Sequence, residues 1–267
     1  MPDADSIGWM SVRVLADDTA REISLPGEVR RVVSIVPSLT EAVAATAPGL
    51  LAGATDWCTH PADLDVPRVR GTKNPDVDAI VALRPDVVVA NAEENREPDL
   101  EALRAAGVPV WVTDVRTLDG AFASLGRMLA ACGLDRPAWL DAAEQAWADA
   151  AELSPRRRAV VPIWRRPWMA VGSDTFAGAV LARLGVDNVL AGVCSDRHDR
   201  YPRIALDDLP DVDLVVLPDE PYRFTADDGP EAFPGVPAAL VSGRHLTWYG
   251  PSLVEAPGVL RAQLAPL

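Results

Sequence analysis

Apolar residues in this chain gather in short runs, closed by Pro, Gly, Asp or Asn and followed by stretches with helical spacing. Val12, Val14, Ile23 and Leu25 flank the polar Asp17-Asp18 turn and predict a hairpin-like lead-in over 11–29. Arg31 to Val36 predicts a buried strand, and Pro37-Ser38 ends it. Ser38 is expected to cap a helix from Leu39 to Ala47, with Glu41 at the capping-box position. Strands are predicted at Leu50–Ala54, Val87–Ala90 and Val108–Val112, and helices at Asp76–Leu83 and Glu97–Ala106, the second closed by Gly107. Two helices follow, Leu118–Cys132 and Arg136–Leu153. The second has Pro137 in its first turn and is long enough to act as a rod of roughly 25 Å. Past Arg156 the order restarts: a strand at Ala159–Trp164, a helix from Asp174-Thr175 to Leu184, a helical segment at Leu206–Leu209, strands at Asp213–Leu217 and Ala238–Val241, and a final helix from Pro251.

The two halves share a pattern. Residues 75–90 read Pro-x-x-Asp-Ala-Ile and then Arg-Pro-Asp-Val-Val-Val-Ala, while 202–217 end in Pro-Asp-Val-Asp-Leu-Val-Val-Leu. Each half then places a polar loop after its strand, Asn91-Ala92-Glu93-Glu94-Asn95 and Pro218-Asp219-Glu220-Pro221-Tyr222. Alternating strands and helices imply parallel sheets covered on both faces. The expected fold is α/β: two Rossmann-like lobes with parallel sheets, joined by a single long helix. The expected division is a lead-in over 1–30 packed on the first lobe, an N-terminal lobe over 31–135, a linking helix over 136–155 and a C-terminal lobe over 156–267. Ligands of open α/β sheets bind beyond the carboxyl ends of the strands, so both polar loops are expected to line one cleft.

Composition narrows the function. Of 267 residues, 49% are hydrophobic and 24% charged, as in an ordinary globular protein. With 39 acids against 25 bases the net charge is −14, which argues against nucleic-acid binding or docking on anionic lipid. Lys73 is the only lysine. No apolar run reaches the roughly 18–20 residues that span a bilayer, so no membrane insertion is expected. Cys58, Cys132 and Cys194 lie too far apart for a CxxC motif and fit a reducing compartment. The acidic first residues carry no signal-peptide pattern or lipid-accepting Cys; the expected location is cytoplasmic as written, or extracytoplasmic for a chain trimmed of its leader.

Several motifs together resemble a known family. Arg31 to Glu41 and Leu83 to Val89 are similar to the class III, helical-backbone substrate-binding proteins of ABC transporters. Within that class the chain most resembles the helical-backbone metal receptors, also described as cobalamin-binding proteins. Cys58-Thr59-His60-Pro61, Gly71-Thr72-Lys73-Asn74, Glu93-Glu94-Asn95, Ile163 to Trp168, Asp219-Glu220-Pro221 and Trp248-Tyr249-Gly250 match its signature, and the similarity runs over roughly residues 20–262. The resemblance implies a ligand of the metal-ion or metal-chelate kind: cobalamin or another corrinoid, heme, a ferric siderophore or a metal ion. It also implies an ABC permease as partner, docked through surface acids that here correspond to Asp78 and to Asp207 or Asp208.

Candidate ligand contacts are Ser38, Trp57, Lys73, Glu93, Glu94, Trp164, Arg165, Arg166, Trp168, Glu220, Tyr222, Trp248 and Tyr249. Aromatics at strand ends serve either packing or the lining of a flat ligand. Arg165 and Arg166 suit a ligand carboxylate or phosphate, or else a salt bridge with Glu93 or Glu94. Cys58 and His60, at i and i+2, would point the same way in an extended segment and so reach one metal ion, with Glu93, Glu94 or Glu220 completing the site. His245 is a further candidate metal ligand. His198, among Asp196, Arg197, Asp199 and Arg200, reads as a solvated loop. No GxSxG, GxxxxGK[ST] or GxGxxG occurs, so binding without chemistry is the leading expectation. A cytosolic enzyme or carrier using Cys58, His60, Glu93, Glu94 and Glu220 is the alternative.

Overall fold

A computed structural model describes residues 12–192 and 200–265. Cys194 and His198 lie outside the described residues. The chain divides into two compact units. One takes the described residues up to Asp114 together with Ala123–Pro137; the other takes Val115–Phe122 and the chain from Ala138.

The first unit begins with the expected hairpin, β1 (Val12–Ala16) antiparallel to β2 (Glu22–Pro26). Then come β3 (Val32–Ser34), α1 (Pro37–Thr46), β4 (Leu51–Ala54), the short antiparallel pair β5 (Arg70–Gly71) and β6 (Asn74–Pro75), α2 (Val77–Ala82), β7 (Val87–Asn91), α3 (Glu97–Ala105) and β8 (Val110–Thr113). β4, β3, β7 and β8 form a parallel sheet in that order, with Val32 beside Val87 and Val88 beside Val110. Val33, Val88, Ala90, Val110 and Val112 of its strands, with Ile35 just past β3, pack with Ile80, Leu100 and Leu103 of α2 and α3. Each buried valine, isoleucine or leucine among them contributes about 1.5–3 kcal/mol.

The hairpin covers the outer edge of β8. Asp18 N–H donates to the Val112 carbonyl (3.1 Å), and Val112 N–H donates to Asp17 Oδ2 (3.1 Å). Asp18 Oδ2 accepts from Asp114 N–H (3.1 Å) and from the Ser124 hydroxyl, while Arg127 grips Oδ1 at 2.7 Å. An uncovered edge strand invites pairing with other chains, and two carboxylates close this one.

α4 (Leu118–Ala131) begins in the second unit and ends in the first. The rod expected over 136–155 is shorter than its sequence suggests: α5 is Ala138–Ala148, and it lies in the second unit. Arg183 explains the early stop, because its guanidinium donates to the carbonyls of Trp147, Ala148 and Ala150.

The second unit continues with β9 (Arg157–Val160), the antiparallel pair β10 (Pro162–Trp164) and β11 (Met169–Ala170), α6 (Phe176–Arg183), β12 (Val186–Asn188), a 3₁₀ turn at Leu206–Asp208, β13 (Leu214–Pro218), β14 (Ala238–Val241), α7 (Gly243–Thr247), a 3₁₀ turn at Pro251–Val254 and α8 (Ala256–Leu264). Its parallel sheet runs β12, β9, β13, β14. The strand expected over 159–164 is broken because Pro162 has no N–H to donate to a parallel neighbour. Thr175 caps α6, accepting from Gly178 N–H. Ser38 does not cap α1: Pro37 occupies the first turn, Val36 is the cap residue, and Glu41 is buried within the helix.

Both sheets share one order. Counted along each unit, the second strand lies beside the first, the first beside the third, and the third beside the fourth. The direction of winding therefore reverses between β3 and β7, and again between β9 and β13.

Candidate functional site

In open α/β sheets, ligands bind beyond the carboxyl ends of the strands that flank such a reversal. In the first unit those ends lead to Ile35-Val36-Pro37-Ser38 and to Ala92-Glu93-Glu94-Asn95. Two asparagines, not anticipated as site residues, organise this corner. Asn91 Oδ1 accepts from the N–H groups of Glu93 and Glu94 (2.9 and 3.0 Å), making an Asx turn that fixes the backbone of both acids. Asn95 Oδ1 accepts from Asn91 N–H (2.9 Å), and its Nδ2 donates to the carbonyls of Ile35 (3.2 Å) and Thr72 (2.9 Å). One buried side chain thus ties the ends of β3 and β7 to the turn between β5 and β6. That turn carries Lys73, whose Nζ donates to the Glu93 carbonyl at 2.6 Å. Burial pushes the Glu94 carboxyl up, Lys73 opposes the shift, and Glu93 adds to it. Ser38 is buried in the first turn of α1.

The Cys58–His60 pair does not form the expected metal-binding arm. The segment is a turn, with Cys58 N–H donating to the Thr55 carbonyl, so the two side chains do not share an extended face. Cys58 is 1% exposed, and its Sγ lies 3.0 Å from Thr40 Oγ1 and 3.1 Å from Thr55 Oγ1. His60 Nδ1 lies 3.2 Å from Thr59 Oγ1. Among the described residues, no three His, Cys, Asp or Glu side chains gather into a metal-holding group. Trp57 is 66% exposed and rests against Gly71, where a Cβ would lie 3.2 Å from the indole nitrogen. Arg68 holds this loop through the carbonyls of Thr55, Cys58 and Leu64.

In the second unit the strands at the reversal lead to the β10–β11 hairpin and to Asp219-Glu220-Pro221-Tyr222. Arg165 is not free for a ligand. It bonds Asp228 through one nitrogen and Glu231 through another (2.5 Å), and lies 5.1 Å from the Trp168 ring centre. Tyr222 donates its hydroxyl to Asp228 at 2.5 Å, and that bond together with Arg165 lowers the Asp228 carboxyl. Trp168 stacks on Phe224 (5.9 Å between ring centres) and meets Phe233 edge-on, so it packs with the core. Asp228, Glu231, Phe224 and Phe233 gave no signal in the sequence, because their partners are distant along the chain. Trp164 is 43% exposed and stands edge-on to Tyr222 (5.8 Å). Arg166 is exposed.

Glu220 sits tightly on Gly243, where any Cβ would overlap its side chain, and Asp219 accepts from Gly243 N–H at 2.7 Å. Tyr249 is buried edge-on to Phe176 (5.6 Å), which places it in the packing, and Trp248 is half-buried near Arg244. His245 is engaged at both ring nitrogens, by Ser242 Oγ (2.7 Å) and by Glu255 (3.0 Å), which leaves neither for a metal. Asp78 is exposed on the first turn of α2, and Asp207 and Asp208 are exposed on the 3₁₀ turn.

Twin parallel sheets with polar groups at matching reversals define an α/β binding protein of the two-domain, helical-backbone kind. The family model for the periplasmic binding proteins matches residues 32–209, and the chain belongs to that family. A vitamin B12-binding protein from Pectobacterium carotovorum subsp. carotovorum (strain PC1) is 31% identical over 101 residues, which is 37% of this chain and 37% of the length of that relative. The periplasmic heme-binding protein HutB of Vibrio cholerae superposes with a TM-score of 0.69 at 17% identity, covering 88% of this chain and 99% of that one. Helicobacter pylori CeuE, solved as a Ni–His complex, gives 0.80 at 12% identity, covering 96% and 89%. These structures share the fold.

Proposed function

We propose that this chain is a substrate-binding protein that holds a small metal-containing ligand and passes it to an ABC permease. The observation that carries the reading is the family match over 32–209, with acidic, aromatic and cationic side chains gathered at the reversal of each sheet. The curated relative named for vitamin B12 and the structural neighbour named for heme point to a metal-bearing tetrapyrrole. The engaged Cys58 and His245 favour a chelate, whose metal brings its own donors, over a bare ion. Asp78 with Asp207 or Asp208 are the proposed docking acids. An import role requires action outside the cytoplasmic membrane, which fractionation of cells expressing the full gene tests.

Titrating the purified protein with cyanocobalamin, hemin, ferric chelates, Zn²⁺ and Fe²⁺ while recording Tm and absorbance tests the ligand. A true ligand at a hundredfold excess over Kd stabilises by about 2.7 kcal/mol. A Tm unmoved by every one of them overturns the reading.

A further inference from the structure

Glu94 stands just past Asn91, where β7 ends, at the corner where the first sheet reverses. Its backbone N–H is held by Asn91 Oδ1, and the next residue, Asn95, is pinned to the carbonyls of Ile35 and Thr72, so the side chain grows from a rigid support. That side chain is partly open to solvent, yet protein crowds its carboxyl enough to push the pKa up. Both hold for a group set in a recess. Two charges act on it. Lys73, on the turn between β5 and β6, donates to the Glu93 carbonyl at 2.6 Å and reaches Glu94 only through its field. Glu93, on the same turn as Glu94, repels it. Among the described residues, the Glu94 carboxyl accepts no hydrogen bond and forms no ion pair. A desolvated carboxylate without a donor works against folding. Groups of this kind concentrate at binding sites, where a ligand brings the missing donor.

We propose that Glu94 is a specificity-determining residue that accepts a hydrogen bond from an amide N–H on the periphery of the ligand. The inference rests on the small-molecule binding function above and narrows its ligand to one that carries amide donors. An ionised carboxylate only accepts, so it attracts an N–H and repels a second carboxylate. Cyanocobalamin carries primary amides around its ring, whereas hemin carries carboxylates, so this corner favours the corrinoid.

The test measures Kd for cyanocobalamin, for derivatives in which one of its side-chain amides is hydrolysed to a carboxylate, and for hemin. The wild type is expected to bind cyanocobalamin more tightly than hemin, and to bind at least one monocarboxylate derivative more weakly than the parent. Glu94→Gln keeps the shape and one acceptor but loses the charge, so it should weaken cyanocobalamin about tenfold. It should also narrow the gap between the parent and that derivative, a coupling that a double-mutant cycle isolates. Without ligand, the same variant should hold or raise Tm at pH 7, which separates a ligand contact from a folding role. A loss of Tm together with affinity marks Glu94 as structural and overturns the inference. Equal cyanocobalamin affinity in wild type and Glu94→Gln, or binding of another titrated ligand with none of cyanocobalamin, also overturns it and leaves the binding function standing. If the wild type binds no ligand titrated above, the binding function itself fails, and the inference falls with it.

Discussion

Asn95 is the residue on which the first unit's corner depends, and replacing it gives a quantitative test. The side chain is 5% exposed and makes three hydrogen bonds, one accepted from Asn91 and two donated to Ile35 and Thr72. A buried hydrogen bond contributes about 1 kcal/mol net, and a donor or acceptor left without a partner costs about 1–3 kcal/mol. Asn95→Ala should therefore destabilise by about 3 kcal/mol in urea unfolding at pH 7. Asn95→Asp keeps the shape and the acceptor for Asn91 but removes both donors and sets a carboxylate against two carbonyl oxygens. It should cost at least as much as alanine at pH 7. The repulsion raises the folded-state pKa of that aspartate above the unfolded value of about 3.9. Its deficit should then be smallest below that value and grow as pH rises through the folded pKa, because the protonated acid regains one donor. Ligand affinity should fall in both variants, since the Glu93–Glu94 turn and the Lys73 turn lose their common tie. A loss below about 1 kcal/mol for Asn95→Ala, or a milder effect for Asp than for Ala at pH 7, would refute the reasoning.

Two further outcomes follow from single contacts. Asp18→Ala should cost about 2–4 kcal/mol by chemical denaturation and expose Val112 and Asp114 amides to hydrogen exchange, because its nearly buried carboxylate serves a backbone N–H, a hydroxyl and Arg127. Arg127→Ala should cost under about 1 kcal/mol, since that guanidinium is half-exposed, and equal losses for the two variants would contradict the edge-cap account. Burial raises the Glu94 pKa, so its charge opposes folding above the ordinary value of 4.5 and has no effect below it. Glu94→Gln should accordingly raise Tm at pH 7 and leave it unchanged near pH 4, as read by calorimetry.

Periodicity made most of the framework legible. The runs Val87-Val88-Val89 and Leu214-Val215-Val216-Leu217 became central strands because residues apolar on both faces can be satisfied only inside a covered parallel sheet. What periodicity misread was set by single side chains acting over distance. An Ala-rich stretch suggested a helix to Leu153, yet Arg183, thirty-odd residues further along the chain, draws the carbonyls of Trp147, Ala148 and Ala150 out of it. Pro37 displaced Ser38 from the cap position, and Pro162 split one expected strand into two. Cys58 and His60 looked like paired ligands only under the assumption of an extended backbone, and the Thr55 carbonyl turned the chain instead.

The two sheets wind alike, but their reversals are furnished differently, and that difference limits the kind of ligand each can meet. At the first, backbone amides held by Asn91 and a single lysine support two acids, so the corner offers hydrogen-bond acceptors with one cation beside them. At the second, Asp228 and Glu231 engage Arg165 and Tyr222, and the exposed groups include the Trp164 indole and the Arg166 guanidinium. The asymmetry arises from a handful of side chains placed on two sheets of the same strand order.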